Sequence, residues 1–327
     1  MTDTMEIVCS TDNNYVMPTG VMLTSLFENN KGENICVHVL DGGLADESKS
    51  QLNDIANKYS QHIVYYKIND ELFKDFPIDN ANQACHIHSM ATYYRLYMSK
   101  ILPENIDKII YLDGDLLVLD SLKSLWDMNL DGYALAAVPD PFNNRVDHYN
   151  SLRYPMELGY FNAGVLLVNL RYWRDNNVLV DFLDLIKEHP ERLTSHDQDV
   201  LNYTFRNKKL TLPLKYNMMP EYLYRKEFNN MLWSFEEEIS EGQKNPVIVH
   251  FTFVPKPWFK DCPNPYRKVF LEYRSKTIWS DSPNRKAIPM KKQFLNWLRN
   301  NLIDWGILTG RIKDTDMFVK ISANIMK

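Results

Sequence analysis

Through the first half of the chain, short runs of aliphatic and β-branched residues alternate with stretches whose apolar positions recur every three or four residues. The runs Glu6–Ser10, Ile35–Leu40, Ile63–Ile68 and Lys108–Leu112 each end in polar or turn residues and predict strands. Between them, Pro18–Asn30, Leu44–Tyr59 and Ser89–Ile101 carry helical spacing. That alternation predicts an α/β fold with a mostly parallel central sheet. Ligands of open α/β sheets sit beyond the carboxyl ends of the strands, which directs attention to Thr11–Tyr15, Asp41–Gly43 and Asp113–Asp115.

The second half is less regular. It offers strands at Tyr133–Val138, Gly164–Asn169 and Val247–Phe251, and helices near Tyr172–Glu188 and Asp197–Arg206. From Pro283 onward nine basic residues face three acidic ones, a surplus of +6 that leaves −11 for the rest of the chain. There Met290, Phe294, Trp297, Leu298, Leu302 and Trp305 recur at helical spacing beside Lys291, Lys292 and Arg299. Two units are therefore expected, residues 1–282 and a basic, aromatic-containing helical extension over 283–327. The extension suits peripheral contact with an anionic membrane, and equally suits packing on the larger unit.

Composition narrows the picture. With 327 residues, 45% of them hydrophobic, the chain can bury a large core. A net charge of −5 from 37 basic and 42 acidic residues provides no global field for nucleic acid. The four cysteines, Cys9, Cys36, Cys85 and Cys262, are widely spaced and read as thiols of a reducing compartment. The opening MTDTMEIVCSTD lacks the basic and apolar regions of a signal peptide, and the apolar stretch Leu158–Leu170 is only 13 residues long. The expected location is cytoplasmic, with peripheral contact at the inner face of the cell membrane through the extension.

The sharpest chemical feature is Ile109-Ile110-Tyr111-Leu112-Asp113-Gly114-Asp115-Leu116-Leu117-Val118, two carboxylates framed by apolar residues at a strand end. In an extended segment Asp113 and Asp115 face the same side and repel unless a cation lies between them. Hard oxygen ligands suit Mn²⁺ or Mg²⁺, Gly114 admits a ligand close to the backbone, and a diphosphate would supply further oxygens. Two other D-x-D triplets, Asp197/Asp199 and Asp314/Asp316, lack the apolar frame, and a turn with solvated carboxylates would satisfy any one of them. A second candidate is Val247-Ile248-Val249-His250-Phe251 followed by Lys256-Pro257-Trp258, pairing an imidazole ligand with a lysine for phosphate oxygens. In Gly159-Tyr160-Phe161-Asn162-Ala163-Gly164, small residues beside an amide make room for a polar ligand such as a sugar. Ser195-His196-Asp197-Gln198-Asp199 could cap the following helix, although capping explains one acid more easily than the cluster.

Together these stretches resemble glycosyltransferase family 8, the family of the bacterial lipopolysaccharide galactosyl- and glucosyltransferases and of glycogenin. The resemblance is carried in order by IVCSTDNNY, HSMATYYRLYM, KIIYLDGDLLVLDSLKSLWD, YFNAGVLLVNLRYWR, HDQDVLN and HFTFVPKPW. It implies that residues 1–282 form a GT-A-type, Rossmann-like nucleotide-sugar-binding domain. It also implies retaining transfer of a hexose from UDP-galactose or UDP-glucose to a saccharide acceptor, with Mn²⁺ or Mg²⁺ on the donor diphosphate. By position, Asp113, Asp115 and His250 would ligate the metal, while Ser10, Asp12, Asn14 and Tyr15 would hold the nucleotide. Arg95, Asn162, Ala163, Asp197 and Gln198 would surround the donor sugar, with Gly114 and Lys256 at the diphosphate.

The family commonly reads H-x-x-G-x-x-K-P-W, and Phe253 stands here where that glycine would be. Its bulk is expected to reshape the donor clamp around Lys256. A UDP-sugar hydrolase, a nucleotidyltransferase and a non-catalytic nucleotide-sugar or glycan-binding module are the competing readings. Because Gln198 is a poor nucleophile, retention is expected through acceptor attack on the face that UDP leaves.

Overall fold

The computed structural model describes residues 4–73, 76, 90–141, 146–224 and 235–283. A seven-stranded sheet runs in the order β3-β2-β1-β4-β7-β6-β8. Its strands are β1 (Met5–Thr11), β2 (Ile35–Asp41), β3 (His62–Lys67), β4 (Lys108–Leu112), β6 (Leu135–Pro139), β7 (Phe161–Asn169) and β8 (Lys209–Thr211). All neighbouring pairs are parallel except β4/β7 and β6/β7. A separate antiparallel pair joins β5 (Leu116–Val118) to β9 (Ile248–His250).

The near-continuous apolar runs of the central strands follow from burial on both faces. Ile7, Cys9, Val37 and Val39 pack on one side with Val21, Leu23, Leu26 and Phe27 of α1 (Val16–Asn29) and Leu52 and Ile55 of α2 (Asp46–Lys58). Val8, Leu40, Tyr111 and Leu166 pack on the other. There Trp173 stacks on Phe205 at 5.1 Å, and the ring of Phe182 closes edge-on at 5.5 Å. Edge strand β3 keeps only an alternating, half-buried pattern, as a strand with one covered face should.

Several elements differ from expectation for identifiable reasons. The helix read over Tyr172–Glu188 is two, Leu170–Asp175 and Val178–Glu188, broken where Asn177 turns left-handed at φ 48°. The segment read as a helix over Ser89–Ile101 is a 3₁₀ stretch, Met90–Tyr97, running into a short α-turn, Met98–Ile101. Tyr93 to Tyr97 are all buried, which one apolar helix stripe cannot achieve. Strand β7 starts at Phe161, three residues before the expected Gly164, so Asn162 and Ala163 are strand residues. The three-residue strands β5 and β8 carry too little sequence for a period to show.

The chain end up to residue 283 folds back on α1. A Cβ at Gly20 would lie 2.3 Å from Cζ3 of Trp279, so the helix surface needs glycine to accept that indole. The basic extension, with Met290, Phe294, Trp297 and Trp305, and Cys85 and Ser89 lie outside the described residues. Among the described residues no helix is long and apolar enough to cross a membrane.

Candidate active site

The site forms where the chain leaves the main sheet. After Leu112 of β4 the backbone turns through Asp113-Gly114-Asp115 and enters β5 of the small sheet. The Asp113 amide donates to the Gly164 carbonyl of β7 at 2.9 Å, and the Asp115 carbonyl accepts from the Phe251 amide at 3.0 Å. The two carboxylates therefore converge from a turn between two sheets, not from one face of an extended strand as the sequence suggested. The turn requires Gly114, because a Cβ there would lie 2.7 Å from Thr19 Oγ1 and 3.3 Å from the Tyr15 ring.

His250, the last residue of β9, completes the cluster. Its Nε2 lies 3.3 Å from Asp115 Oδ1 and 3.7 Å from Asp113 Oδ2. One donor atom from each of the three residues falls within 4.8 Å of the others, a set suited to a hard divalent cation. The imidazole occupies the space that glycine leaves in β7, since a Cβ at Gly164 would lie 2.2 Å from His250 Cε1 and 2.7 Å from Asp113 Oδ2. The room anticipated at Gly164 for a sugar is thus filled by the imidazole. Gly159 instead serves a turn at φ 67°, with open space where a Cβ would stand.

Each carboxylate has a cationic neighbour. Lys256 Nζ donates to Asp115 Oδ2 at 2.6 Å and to the carbonyls of Phe251 and Thr252 at 2.6 and 3.2 Å. Burial acts to raise the Asp115 carboxyl, but Lys256 and His250 together outweigh it and hold it well below the usual carboxylate range. Arg95, buried in the 3₁₀ stretch, bonds Asp113 Oδ1 at 2.8 Å, Asp197 Oδ2 at 2.9 Å and the Ala163 carbonyl at 2.6 Å. Its guanidinium lies 4.4 Å from the Tyr111 ring centroid. Burial works against its charge, yet Asp113 and Asp197 prevail and push its pKa upward.

Asp197 also accepts from the Thr92 hydroxyl. Burial drives its carboxyl upward while Arg95 and Thr92 pull against that, and a permanently charged guanidinium at 2.9 Å favours the ionised form. Gln198 is fixed at both ends of its amide. Its Oε1 accepts from the Ala163 amide at 2.9 Å and from Asn162 Nδ2 at 3.2 Å, while its Nε2 donates to Asp140 Oδ2 at 3.2 Å. The remaining acid, Asp199, anchors the loop before this helix by accepting from the amides of Thr194 and Ser195, both at 2.6 Å. The acidic cluster therefore divides between loop anchoring and the Arg95 ion pair.

Ser10, near the end of β1, and Asp12, Asn14 and Tyr15, just after it, gather at the carboxyl end of that strand. Ser10 Oγ accepts from Tyr111 OH at 3.3 Å, and Asp12 Oδ1 holds the Asn14 and Tyr15 amides at 2.8 and 3.1 Å. Tyr15 meets Trp258 edge-on at 5.7 Å and directs its hydroxyl to Asp115 Oδ2 at 3.5 Å. Burial, reinforced by Asp115 and Asp113, lifts its phenol well above the ordinary value, so it stays protonated. Phe253 lines a groove beside the site with Pro220, Tyr224, Val254 and Cys262. Sequence reading missed Asp140 and Asn217. Asp140 follows directly on β6 and was findable by the strand-end rule, whereas Asn217 lies in an irregular stretch without periodic signal.

A second cluster of Glu6, Cys36 and His38 lies on the strands β1 and β2. It is closed by its own bonds, His38 Nε2 meeting Glu6 at 2.7 Å and Nδ1 meeting Tyr66 OH at 3.0 Å.

A mostly parallel sheet, a second small sheet and a carboxylate–imidazole cluster at their junction define a GT-A-type glycosyltransferase fold. The chain belongs to glycosyltransferase family 8: the family model described as "Glycosyl transferase family 8" matches residues 6–262. It is similar to general stress protein A of Bacillus subtilis, with 29% identity over 284 residues that span 86% of this chain and 96% of that protein. It is likewise similar to a lipopolysaccharide 1,2-glucosyltransferase of Escherichia coli, 27% identical over 99% of this chain and 92% of the relative. Among solved structures, galactosyltransferase LgtC in complex with donor and acceptor sugar analogs superposes with a TM-score of 0.75. The identity is 26%, covering 88% of this chain and 98% of LgtC.

Proposed function

We propose that this glycosyltransferase is a retaining hexosyltransferase, moving galactose or glucose from a UDP-sugar to a saccharide acceptor such as lipopolysaccharide or another cell-surface glycan. The observation that carries the reading is the convergence of Asp113, Asp115 and His250 beside Lys256, within a family 8 chain. The three residues would hold Mn²⁺ or Mg²⁺, which when bound supplies positive charge to the donor diphosphate. Lys256 adds charge at the same place, stabilising the negative charge that grows on departing UDP. Asp12 and Tyr15 frame the nucleotide end, and Asn162, Ala163 and Gln198 supply fixed donors and acceptors for sugar hydroxyls.

The side chains nearest the sugar position favour attack by the acceptor on the face that UDP vacates. Gln198 Oε1 already accepts two N–H groups, and the Asp197 carboxylate is engaged by Arg95 and Thr92. Neither is presented as a free nucleophile, so Asp197, Arg95, Asn162 and Gln198 serve to orient reactants. The protein is read as acting on the cytoplasmic side of the membrane, with its basic extension touching the anionic lipid surface.

The test is UDP release from a panel of UDP-sugars with Mn²⁺, with and without EDTA. Metal-dependent release from one hexose, followed by transfer to an acceptor, is the expected result. Free sugar with every acceptor would make the protein a hydrolase, pyrophosphate release a nucleotidyltransferase, and donor binding without turnover a binding module with Phe253 closing the clamp.

A further inference from the structure

Asn217 is fully buried and touches no carboxylate of the site, yet it is tied to the geometry of His250 through a chain of hydrogen bonds whose polarity can be read. The chain begins at a group whose role is fixed. The backbone N–H of Gly164 donates to Asn162 Oδ1 at 3.0 Å, which settles which end of the Asn162 amide is oxygen. Asn217 approaches that same oxygen at 2.9 Å and must present its NH₂ there. Its own carbonyl oxygen therefore faces His250 Nδ1 at 3.0 Å, and only a protonated Nδ1 satisfies it.

The relay is held rigidly. Met218, next in sequence, accepts from the His250 amide at 3.1 Å and donates to the Ile248 carbonyl at 2.8 Å, so Asn217 and His250 are locked in register. His250 is 3% exposed, which leaves no solvent to offer its ring an alternative partner.

We infer that Asn217 is a positioning residue that pins the Nδ1 proton of His250, leaving Nε2 as the ligand nitrogen aimed between Asp113 and Asp115. The inference rests on the metal reading proposed above and adds to it the residue that prepares the imidazole. Metal-bound histidines are commonly oriented by such an outer partner, usually a carboxylate or a carbonyl, and here a side-chain amide takes that place. Because Asn162 also bonds Gln198 and Asp140, the two amides Asn162 and Asn217 in series connect those groups to the imidazole.

The test compares the full-length protein with Asn217→Leu, which removes the acceptor, and Asn217→Asp, which restores one. Long-range ¹H–¹⁵N correlation on histidine-labelled, metal-free protein in alkaline buffer reads which ring nitrogen carries the proton without any turnover. Nδ1–H in the parent and in Asn217→Asp, with loss of that preference in Asn217→Leu, is expected. Mn²⁺ titration followed by electron paramagnetic resonance should show about 10- to 100-fold weaker binding for Asn217→Leu and near-parental binding for Asn217→Asp. A parent protein protonated at Nε2 alone overturns the inference even if the leucine variant fails to fold, and so does unchanged Mn²⁺ affinity in a folded Asn217→Leu. A parent that shows Nδ1–H but binds no Mn²⁺, with or without UDP, overturns the metal reading and not the relay.

Discussion

The central sheet carries a three-donor cluster toward each of its ends. Asp113, Asp115 and His250 stand beyond the carboxyl end of β4, and Glu6, Cys36 and His38 lie toward the amino ends of β1 and β2. Both bring a carboxylate and an imidazole into contact, but they differ in what is left over. In the second cluster Glu6 and Tyr66 occupy both nitrogens of His38. The Cys36 thiol is pushed up to about 11, chiefly by burial and then by Glu6, so it stays protonated at neutral pH and is a weak ligand. In the first cluster one ring nitrogen is spent on Asn217 and the other faces two carboxylates. Proximity of donor types does not distinguish the clusters; what the imidazole still faces does, since both nitrogens of His38 are bonded within its own cluster while Nε2 of His250 turns toward two carboxylates.

The largest expected effect of breaking that contrast is on Asp115. Asp115→Asn should lower transfer by about 10²- to 10³-fold or more while leaving the fold intact, whereas Glu6→Gln should leave initial rates within about twofold. Equal losses in the two variants, measured under identical Mn²⁺ conditions, would erase the distinction. Next comes Gly164→Ala, whose methyl must displace the imidazole. Turnover is expected to fall about 100-fold, with ~1–3 kcal/mol lost from urea-unfolding stability. A parental rate would show that the ring moves freely and that its placement is unimportant.

His38→Gln provides the converse. It breaks a buried hydrogen-bonded network and should cost about 1–3 kcal/mol in denaturant titrations, with the metal dependence of turnover unchanged. Acid unfolding sharpens the contrast further. Asp115 is held below its ordinary value, so between that value and its folded one the unfolded chain binds more protons. Its stabilising contribution is complete above about pH 4 and drains away as pH falls below that. Asp115→Asn should therefore unfold with a shallower dependence on acid than the parent. The smallest effect concerns the extension: truncation near Ser282 should reduce co-sedimentation with anionic liposomes while UDP release from a soluble donor persists. Equal sedimentation of the two proteins would discard the membrane role.

Much of this was legible in the sequence because burial writes itself into periodicity. The runs ending at Ser10, Leu40 and Leu112 lie within or match β1, β2 and β4, and the strand-end rule led to Asp12, Asp113 and Asp115. What stayed hidden depends on contacts far apart in the chain. No local pattern tells that the Asp-Gly-Asp segment crosses between sheets, that the Gly164 gap receives an imidazole from residue 250, or that Asn217 supports it. The break at Asn177 was hidden for a different reason, since one left-handed residue leaves the apolar spacing on either side unchanged.

The turn between β4 and β5 has one foot in each sheet, Asp113 bonded to β7 and Asp115 to the residue after β9. A cation gripped by both aspartates and by His250 would therefore act as a rivet across a seam and not as an ornament on one surface. Loading the site should stiffen the joint between the two layers, slowing amide exchange in β5 and β9 more than in β1 or β2.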